Sequence, residues 1–325
     1  MLSNSLNAAT TPADRALSAS LAKIKKWSGM TVTYERVGAG YTNFNFLVHI
    51  KELELTGFAK VVGPGTEAFI DRKVAHEAAV LASDLGIGPS LIGYVEEDDF
   101  EVYEFLKGYR CFTIADMTDP DLAGKVMNCY AKMHAAPALS GSDPWDQQIG
   151  SLVDQIEALG ADRPDDLADL LWQKARAKQA IGHSGTLSAP CYNDGYVTNY
   201  MRNDAGDVRI IDWEYGANND PYWDLATYFF ECFADRPLQR KLLDSYNPAA
   251  GANEMARIDL FIPLVCLKWG LWASLQSSIS KIDFDYLKYA DILFMRARHL
   301  MRQEGWEIAL DTLWAGGRPP TSSRC

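Results

Sequence analysis

In the segment "CYNDGYVTNYMRNDAGDVRIIDWEYG", Cys191 to Gly216, three residues are spaced so that they could act together on a proton and a metal: Asp194, Asn199 and Asp212. Asp194 and Asn199 stand in an Asp-x-x-x-x-Asn spacing. A short apolar stretch, an Asn-Asp-Ala-Gly turn and a second apolar run separate Asn199 from Asp212. That order is the order of a phosphoryl-transfer loop. An aspartate in a loop can orient an attacking hydroxyl and accept its proton. The amide oxygen of Asn199 and the carboxylate of Asp212 are hard donors, of the kind Mg²⁺ takes beside nucleotide phosphates. The turn between them predicts a hairpin that returns Asp212 towards Asn199. Taken singly, the same residues also fit a capping aspartate and two turn residues.

Such chemistry needs a glycine turn over the phosphates, a strand lysine and a helix glutamate to hold that lysine. "RVGAGYTNFNFLV" places Gly38 and Gly40 between two predicted strands, where small residues permit close backbone approach to phosphate. "GFAKVV" places Lys60 in an apolar run. A lysine there is costly unless it is paired or snorkels outward. Glu77 lies in a predicted helix from Thr66 to Leu85, whose apolar stripe is Phe69, Val74, Ala78, Leu81 and Leu85. Each of these residues alone fits a plain surface role. Their order along the chain makes the case.

The elements that must position these groups are also readable. Pro12 after Thr11 opens a helix over 12–27. "MTVTYERV", "NFNFLVHIK" and "LTGFAKVV" read as strands, and "GIGPSLIGYVEEDDFEVYEFLKG" as two more around an acidic turn. From Asp121 the chain reads as mostly helical apart from the segment quoted first. The composition shifts near Lys107–Gly108. The expected layout is therefore α+β: a helical extension over 1–30, a sheet lobe with one helix over 31–106 for the nucleotide, and a larger helical lobe over 107–325 for catalysis and substrate.

A length of 325 residues suits two lobes, and 48% hydrophobic with 23% charged residues is an ordinary globular composition. The net charge of −12 argues against nucleic acid or an anionic membrane as the main partner. It suits a cationic substrate, and equally plain solubility. "MLSNSLNAATTPADRALSAS" lacks the pattern of a signal peptide. The apolar stretch Phe261 to Leu275 contains Pro263 and Lys268 and reads as too short to span a bilayer. Six scattered cysteines without a C-x-x-C pair point to a reduced, cytoplasmic setting without a zinc site or disulfide framework.

Seven stretches over about residues 31–300 resemble the choline/ethanolamine kinase family, of the bacterial LicA type, within the aminoglycoside-phosphotransferase-like and protein-kinase-like superfamily. They are "GAGYTNFNFLV", "FAKV", "IDRKVAHEAAVL", "GIGPSLIGY", "YNDGYVTN", "IIDWEYGANNDPYWDLATYFFE" and "KWGLWASLQSSISKIDFDYLKYA". The resemblance implies a two-lobed protein-kinase-like fold, with a small antiparallel-sheet lobe and a larger helical one. It implies ATP- and Mg²⁺-dependent phosphorylation of a small amino alcohol, choline first and ethanolamine second. Asp194 would orient the hydroxyl, and Asn199 and Asp212 would hold Mg²⁺. Gly38, Gly40, Thr42, Asn43 and Lys60, with Glu77 holding Lys60, would meet the phosphates. Adenine would lie near the connector Tyr103–Leu106, at Glu104 and Leu106.

In the resembling family the aromatics matching Trp269, Trp272 and Tyr289, with a carboxylate matching Glu231, line the choline site. Glu214 would add a contact to a second metal or to the substrate. Without the resemblance, Trp and Tyr at helical spacing read as core. Asp220 and Asp224 read as turn and helix-start residues. The chain departs from the family in having Tyr192 where a loop-bracing His is usual, and Thr198 where Gly is common. Two rivals stand beside this reading: a phosphotransferase for another alcohol (an aminoglycoside, a thiamine-like cation or a sugar), and a silent pseudokinase that binds choline or a nucleotide, to which Tyr192 points.

Overall fold

A computed structural model describes residues 4–5, 11–37, 43–62, 70–280 and 282–316. Contacts divide the chain into two compact units. One is Met1–Arg110 with Tyr200–Tyr215, and the other is Cys111–Asn199 with Gly216–Cys325. The sequence boundaries cut the chain once after residue 30 and once after residue 106. By contact, the hairpin around residue 205 groups with the N-terminal residues.

The first unit opens with β1 (Asn4–Ser5), α1 (Pro12–Lys23), β2 (Val32–Arg36), β3 (Asn43–Ile50) and β4 (Leu55–Val62). It continues with α2 (Arg72–Asp84), β5 (Leu91–Val95) and β6 (Phe100–Glu104). The strands form one antiparallel sheet in the order β1-β2-β3-β4-β6-β5. Thr11 caps α1 in a reciprocal box with Asp14, and Leu17 and Leu21 bury against Tyr34, Phe46, Val48 and Val102. The helix expected over 12–27 stops at Lys23, and Lys25–Trp27 is a 3-10 turn. α2 starts at Arg72, where Asp71 accepts the Val74 N–H at 3.2 Å. The earlier start expected at Thr66 falls partly on 66–69, outside the described residues; Ile70 and Asp71 are not helical. Gly38, Gly40 and Thr42 also lie outside the described residues.

The chain goes on through β7 (Arg110–Cys111), α3 (Ile114–Thr118), α4 (Pro120–His134), α5 (Trp145–Leu159), α6 (Leu167–Ser184) and β8 (Ala189–Cys191). After β9 (Tyr200–Arg202) and β10 (Val208–Ile210) come β11 (Ala217–Asn219), α7 (Pro221–Glu231), α8 (Arg236–Tyr246), α9 (Ala252–Ile279), α10 (Tyr286–Met301) and α11 (Glu304–Ala315). In the second unit β8 and β11 form an antiparallel ribbon with Cys191 opposite Ala217. α9 is the central helix, packed against α5, α6, α7, α10 and α11. The apolar stretch judged too short for a bilayer belongs to this 28-residue helix, which runs through Pro263. It is long and apolar enough to cross a membrane, but 83% of its most apolar window is buried inside the protein. Its hydropathy is that of a core helix surrounded by other helices.

The expected hairpin is present. β9 and β10 pair with Ile210 opposite Tyr200, and the Asn203 side chain accepts the Asp207 N–H at 2.8 Å across the turn. Gly206 takes φ +78, a left-handed conformation that glycine adopts without a Cβ penalty. The Ile210 N–H donates to the Ile87 carbonyl at 2.8 Å, which ties the hairpin to the first unit.

Candidate active site

β8 delivers the chain into the loop that carries Asp194. Tyr192 and Asn193 are fully buried there, and their backbone N–H groups donate to the two oxygens of Asp224 at 2.7 and 2.8 Å. Asn193 has φ +64, a region asparagine tolerates better than most residues. Its side chain locks that conformation. Nδ2 donates to the Ala217 carbonyl at 3.3 Å, and Oδ1 accepts from Asn219 Nδ2 at 2.8 Å. His134 Nε2 lies 3.0 Å from Asp224 Oδ2, and its Nδ1 lies 2.8 Å from the Tyr246 hydroxyl.

These contacts correct one sequence reading. Asp220 is a helix-start residue, accepting the Tyr222 N–H at 3.0 Å as the cap of α7. Asp224, grouped with it, is the brace of the loop. The brace acts through backbone N–H groups, so it does not depend on which side chain stands at position 192.

With the loop pinned behind it, Asp194 remains half-buried. Asn199 is buried at the end of the 3-10 turn Val197–Asn199, and its Nδ2 donates to Asp194 Oδ2 at 2.8 Å. This bond orients the carboxylate. It also turns the amide oxygen of Asn199 away from that carboxylate, towards other partners.

In the first unit, Lys60 on β4 is bonded to Asp212, which follows β10 with φ +64. Burial pulls the Lys60 ammonium down, but Asp212, Glu214 and Glu101 outweigh it and hold the pKa above its ordinary value. Glu77 is half-buried on α2; the carboxylate bonded to Lys60 is that of Asp212. Glu101 stands opposite Lys60 in the β4–β6 register, accepts from the Tyr103 hydroxyl, and lies 2.6 Å from His76 Nδ1. Sequence reasoning missed Glu101, whose one signal was its place in a strand predicted to flank that of Lys60. Asn43 opens β3, Glu104 closes β6 with its N–H on the Ser90 carbonyl at 2.8 Å, and Leu106 is buried. The carboxylate of Asp212 and the amide oxygen of Asn199 are hard neutral or anionic oxygen donors, and this donor chemistry fits Mg²⁺.

The second unit gathers aromatic rings from α9, α10 and the turn before α10. Trp269 and Trp272 meet edge to face at 5.7 Å, Trp272 and Tyr286 at 6.1 Å, Tyr286 and Phe284 at 4.9 Å, and Phe284 and Tyr289 at 6.0 Å. Trp269, Trp272 and Tyr289 are half-buried and Phe284 is exposed, so this is not a closed core. Sequence reasoning named Trp269, Trp272 and Tyr289 for the site; the structure adds Tyr286 and Phe284 to the cluster.

Glu231, at the end of α7, accepts the Val197 N–H at 3.1 Å. Burial raises its carboxyl above the ordinary range, against the Val197 N–H and the charge of Arg296. The Tyr289 hydroxyl is raised by burial first, and both Glu231 and Asp194 add to that shift. Tyr289 thus lies within reach of the charges of the loop aspartate and of Glu231.

Comparison with known proteins gives a family match. Residues 34–241 match the family model described as choline/ethanolamine kinase. A probable ethanolamine kinase of Arabidopsis thaliana is 26% identical over 310 residues, covering 86% of this chain and 81% of that protein. Among solved structures, a choline/ethanolamine kinase family protein of Mesorhizobium loti superposes with a TM-score of 0.77 at 21% identity, covering 92% of this chain and 98% of the other. The choline kinase LicA of Streptococcus pneumoniae gives a TM-score of 0.74 at 20% identity, over 89% and 98% of the two chains.

Proposed function

Because this chain belongs to the choline/ethanolamine kinase family and is an ATP-dependent kinase of small alcohols, we propose that its preferred acceptor is choline, with ethanolamine second. The observation that carries this reading is the ring cluster of Trp269, Trp272, Tyr286, Phe284 and Tyr289 beside a carboxylate, Glu231, that is bonded to the catalytic loop. A trimethylammonium has no N–H to satisfy and is weakly hydrated. Aromatic faces attract it by about 0.5–2 kcal/mol each. A primary ammonium is strongly hydrated and brings three donors that rings do not satisfy.

Phosphoryl transfer passes through a loose transition state, so positioning does most of the work. Asp194 orients the choline hydroxyl and accepts its proton, its own orientation fixed by the Asn199 amide. Asn199 and Asp212 hold Mg²⁺, which when bound neutralises charge on the phosphates. Lys60, bonded to Asp212 in the structure and with Glu77 as its second support once Asp212 takes the metal, steadies the phosphates, and Gly38, Gly40, Thr42 and Asn43 cover them. Glu104 and Leu106 border the adenine. Glu214 serves a second metal or the substrate.

The test is an ADP-release assay with ATP and Mg²⁺ over choline, ethanolamine, an aminoglycoside, thiamine and a sugar alcohol. Choline is expected to exceed ethanolamine in kcat/KM by about tenfold, the equivalent of one good aromatic face. A preference for ethanolamine, or turnover of neither amine, sinks the choline reading.

A further inference from the structure

Beside Glu77 on α2 stands His76, a side chain that docks the helix on two strands of the sheet. Its ring stacks on Tyr94 of β5, with centroids 3.7 Å apart and planes 13° from parallel. Its Nδ1 lies 2.6 Å from Glu101 Oε1 on β6. An ionised carboxylate only accepts, so Nδ1 carries a proton and donates, whether the ring is neutral or charged. The other oxygen of Glu101, Oε2, accepts from the Tyr103 hydroxyl two residues along β6. Both oxygens are therefore engaged, and the carboxylate is fixed in place.

The sheet register explains this meeting. Lys60 stands opposite Glu101 across β4 and β6, and Glu101 stands opposite Tyr94 across β6 and β5. Directly opposed residues point to the same face, with Cβ atoms about 4.5–5.5 Å apart. Lys60, Glu101 and Tyr94 thus form one cross-strand row. α2 lies over that row, because His76 touches its second and third members. The His76 and Glu101 side chains are 22% and 23% exposed, so water screens their bond only in part. The two contacts do different work. A stacked ring can slide over its neighbour at little cost, whereas a hydrogen bond is directional and fixes the helix along its axis.

We propose that His76 is a positioning residue for nucleotide binding: its bond to Glu101 latches α2 onto the row that begins with Lys60, and so holds Glu77 in register with that lysine. The proposal rests on reading Lys60 and Glu77 as the groups that steady the nucleotide phosphates. His76 and Glu77 are consecutive on one helix, so a slide or tilt released at the first displaces the second. Lys60 would then lose its support when Asp212 turns to the metal. Glu101 serves as the anchor of the latch, on the strand next to that of the lysine.

Two substitutions separate the bond from the stack. His76→Phe keeps a ring for Tyr94 and removes the donor. His76→Asn removes the ring and keeps an N–H donor close to the place of Nδ1. Each is made in the wild type and in Glu77→Ala, and the Kd for ATP with Mg²⁺ (by calorimetry), the acceptor KM and kcat are measured. His76→Phe should weaken ATP binding about 5- to 20-fold, the size of a hydrogen bond to a charged group discounted for partial exposure. The acceptor KM should stay within about twofold. His76→Asn should recover most of the loss. In the Glu77→Ala background, His76→Phe should change the ATP Kd less than about twofold, because the residue it positions is gone. Unchanged ATP binding in His76→Phe, or a His76→Asn as weak as His76→Phe, overturns the proposal. The same factor in both backgrounds, or an equal loss for ATP and acceptor, overturns it too, and leaves the reading of Glu77 intact. Wild-type ATP affinity and turnover in Glu77→Ala overturns that reading, and this proposal with it. If His76→Phe does not fold, His76→Leu replaces it in the cycle. If neither folds, the histidine is structural and the proposal fails.

Discussion

Asp212 and Asp220 stand in one short stretch of sequence, and each is bonded to a cation. The two pairs are built differently. Arg257 and Asp220 are 5% and 4% exposed, and the network around them is closed. Arg257 also donates to Ser184 Oγ at 2.8 Å, and Asp220 also accepts the Tyr222 N–H. Lys60 and Asp212 are 23% and 29% exposed, and Glu214 and Glu101 crowd the same ammonium. One pair saturates its hydrogen bonds inside the protein. The other leaves three carboxylates around one positive charge, an excess that a further cation can balance. The first arrangement is architecture, and the second suits groups that exchange partners during a reaction.

The largest effect should come from opening the closed pair. Arg257→Ala strands a buried carboxylate, and such losses cost about 3–5 kcal/mol. Chemical denaturation should report that loss, while the activity of the remaining folded protein at low temperature stays near wild type. A cost below about 1 kcal/mol would erase the contrast between the two pairs.

Next in size is Asp212→Asn. It removes a charge from a half-exposed pair, so stability should move by no more than about 1 kcal/mol. Turnover should fall about 100-fold or more, because a lost carboxylate ligand weakens both metal binding and charge stabilisation. Steady-state kinetics over a range of Mg²⁺ beside denaturation curves would separate these effects. A variant that melts early but turns over normally would exchange the roles assigned to the two aspartates.

The contrast also marks what the sequence makes legible. Strands β2 to β6 and the hairpin β9–β10 are readable because alternation, turn residues and β-branched runs are local properties. The order of Lys60, Asp194, Asn199 and Asp212 is readable because spacing along the chain carries it. The start of α2 lies at Arg72 and not at Thr66 because an apolar stripe marks a helix's face, whereas the side chain of Asp71 fixes its first turn.

The brace made by Asp224 is a different case. Its partners are backbone N–H groups, which every residue but proline offers and no sequence displays. For the same reason, Tyr192 in place of histidine looked like a loss of support. The loop is held through the backbone of that very residue.

The smallest effect concerns the rings, where neither a closed ion pair nor a metal ligand is at stake. Trp272 lies between Trp269 and Tyr286 in edge-to-face contact and is half-buried. If it presents a face to the substrate ammonium, Trp272→Ala removes about 0.5–2 kcal/mol of cation–π attraction. The choline KM should then rise about 2- to 30-fold, the same energy expressed as a ratio. The ATP KM should hardly change. The ratio of choline to ethanolamine in kcat/KM should narrow, because the primary ammonium gains less from the ring in the first place. A Trp that serves only as packing predicts another pattern: a stability loss of about 3–5 kcal/mol with both amines affected alike. Thermal melts run beside the two substrate titrations distinguish these outcomes. A variant that keeps its choline preference while losing stability would place Trp272 with Arg257, among the parts that hold the fold and not the substrate.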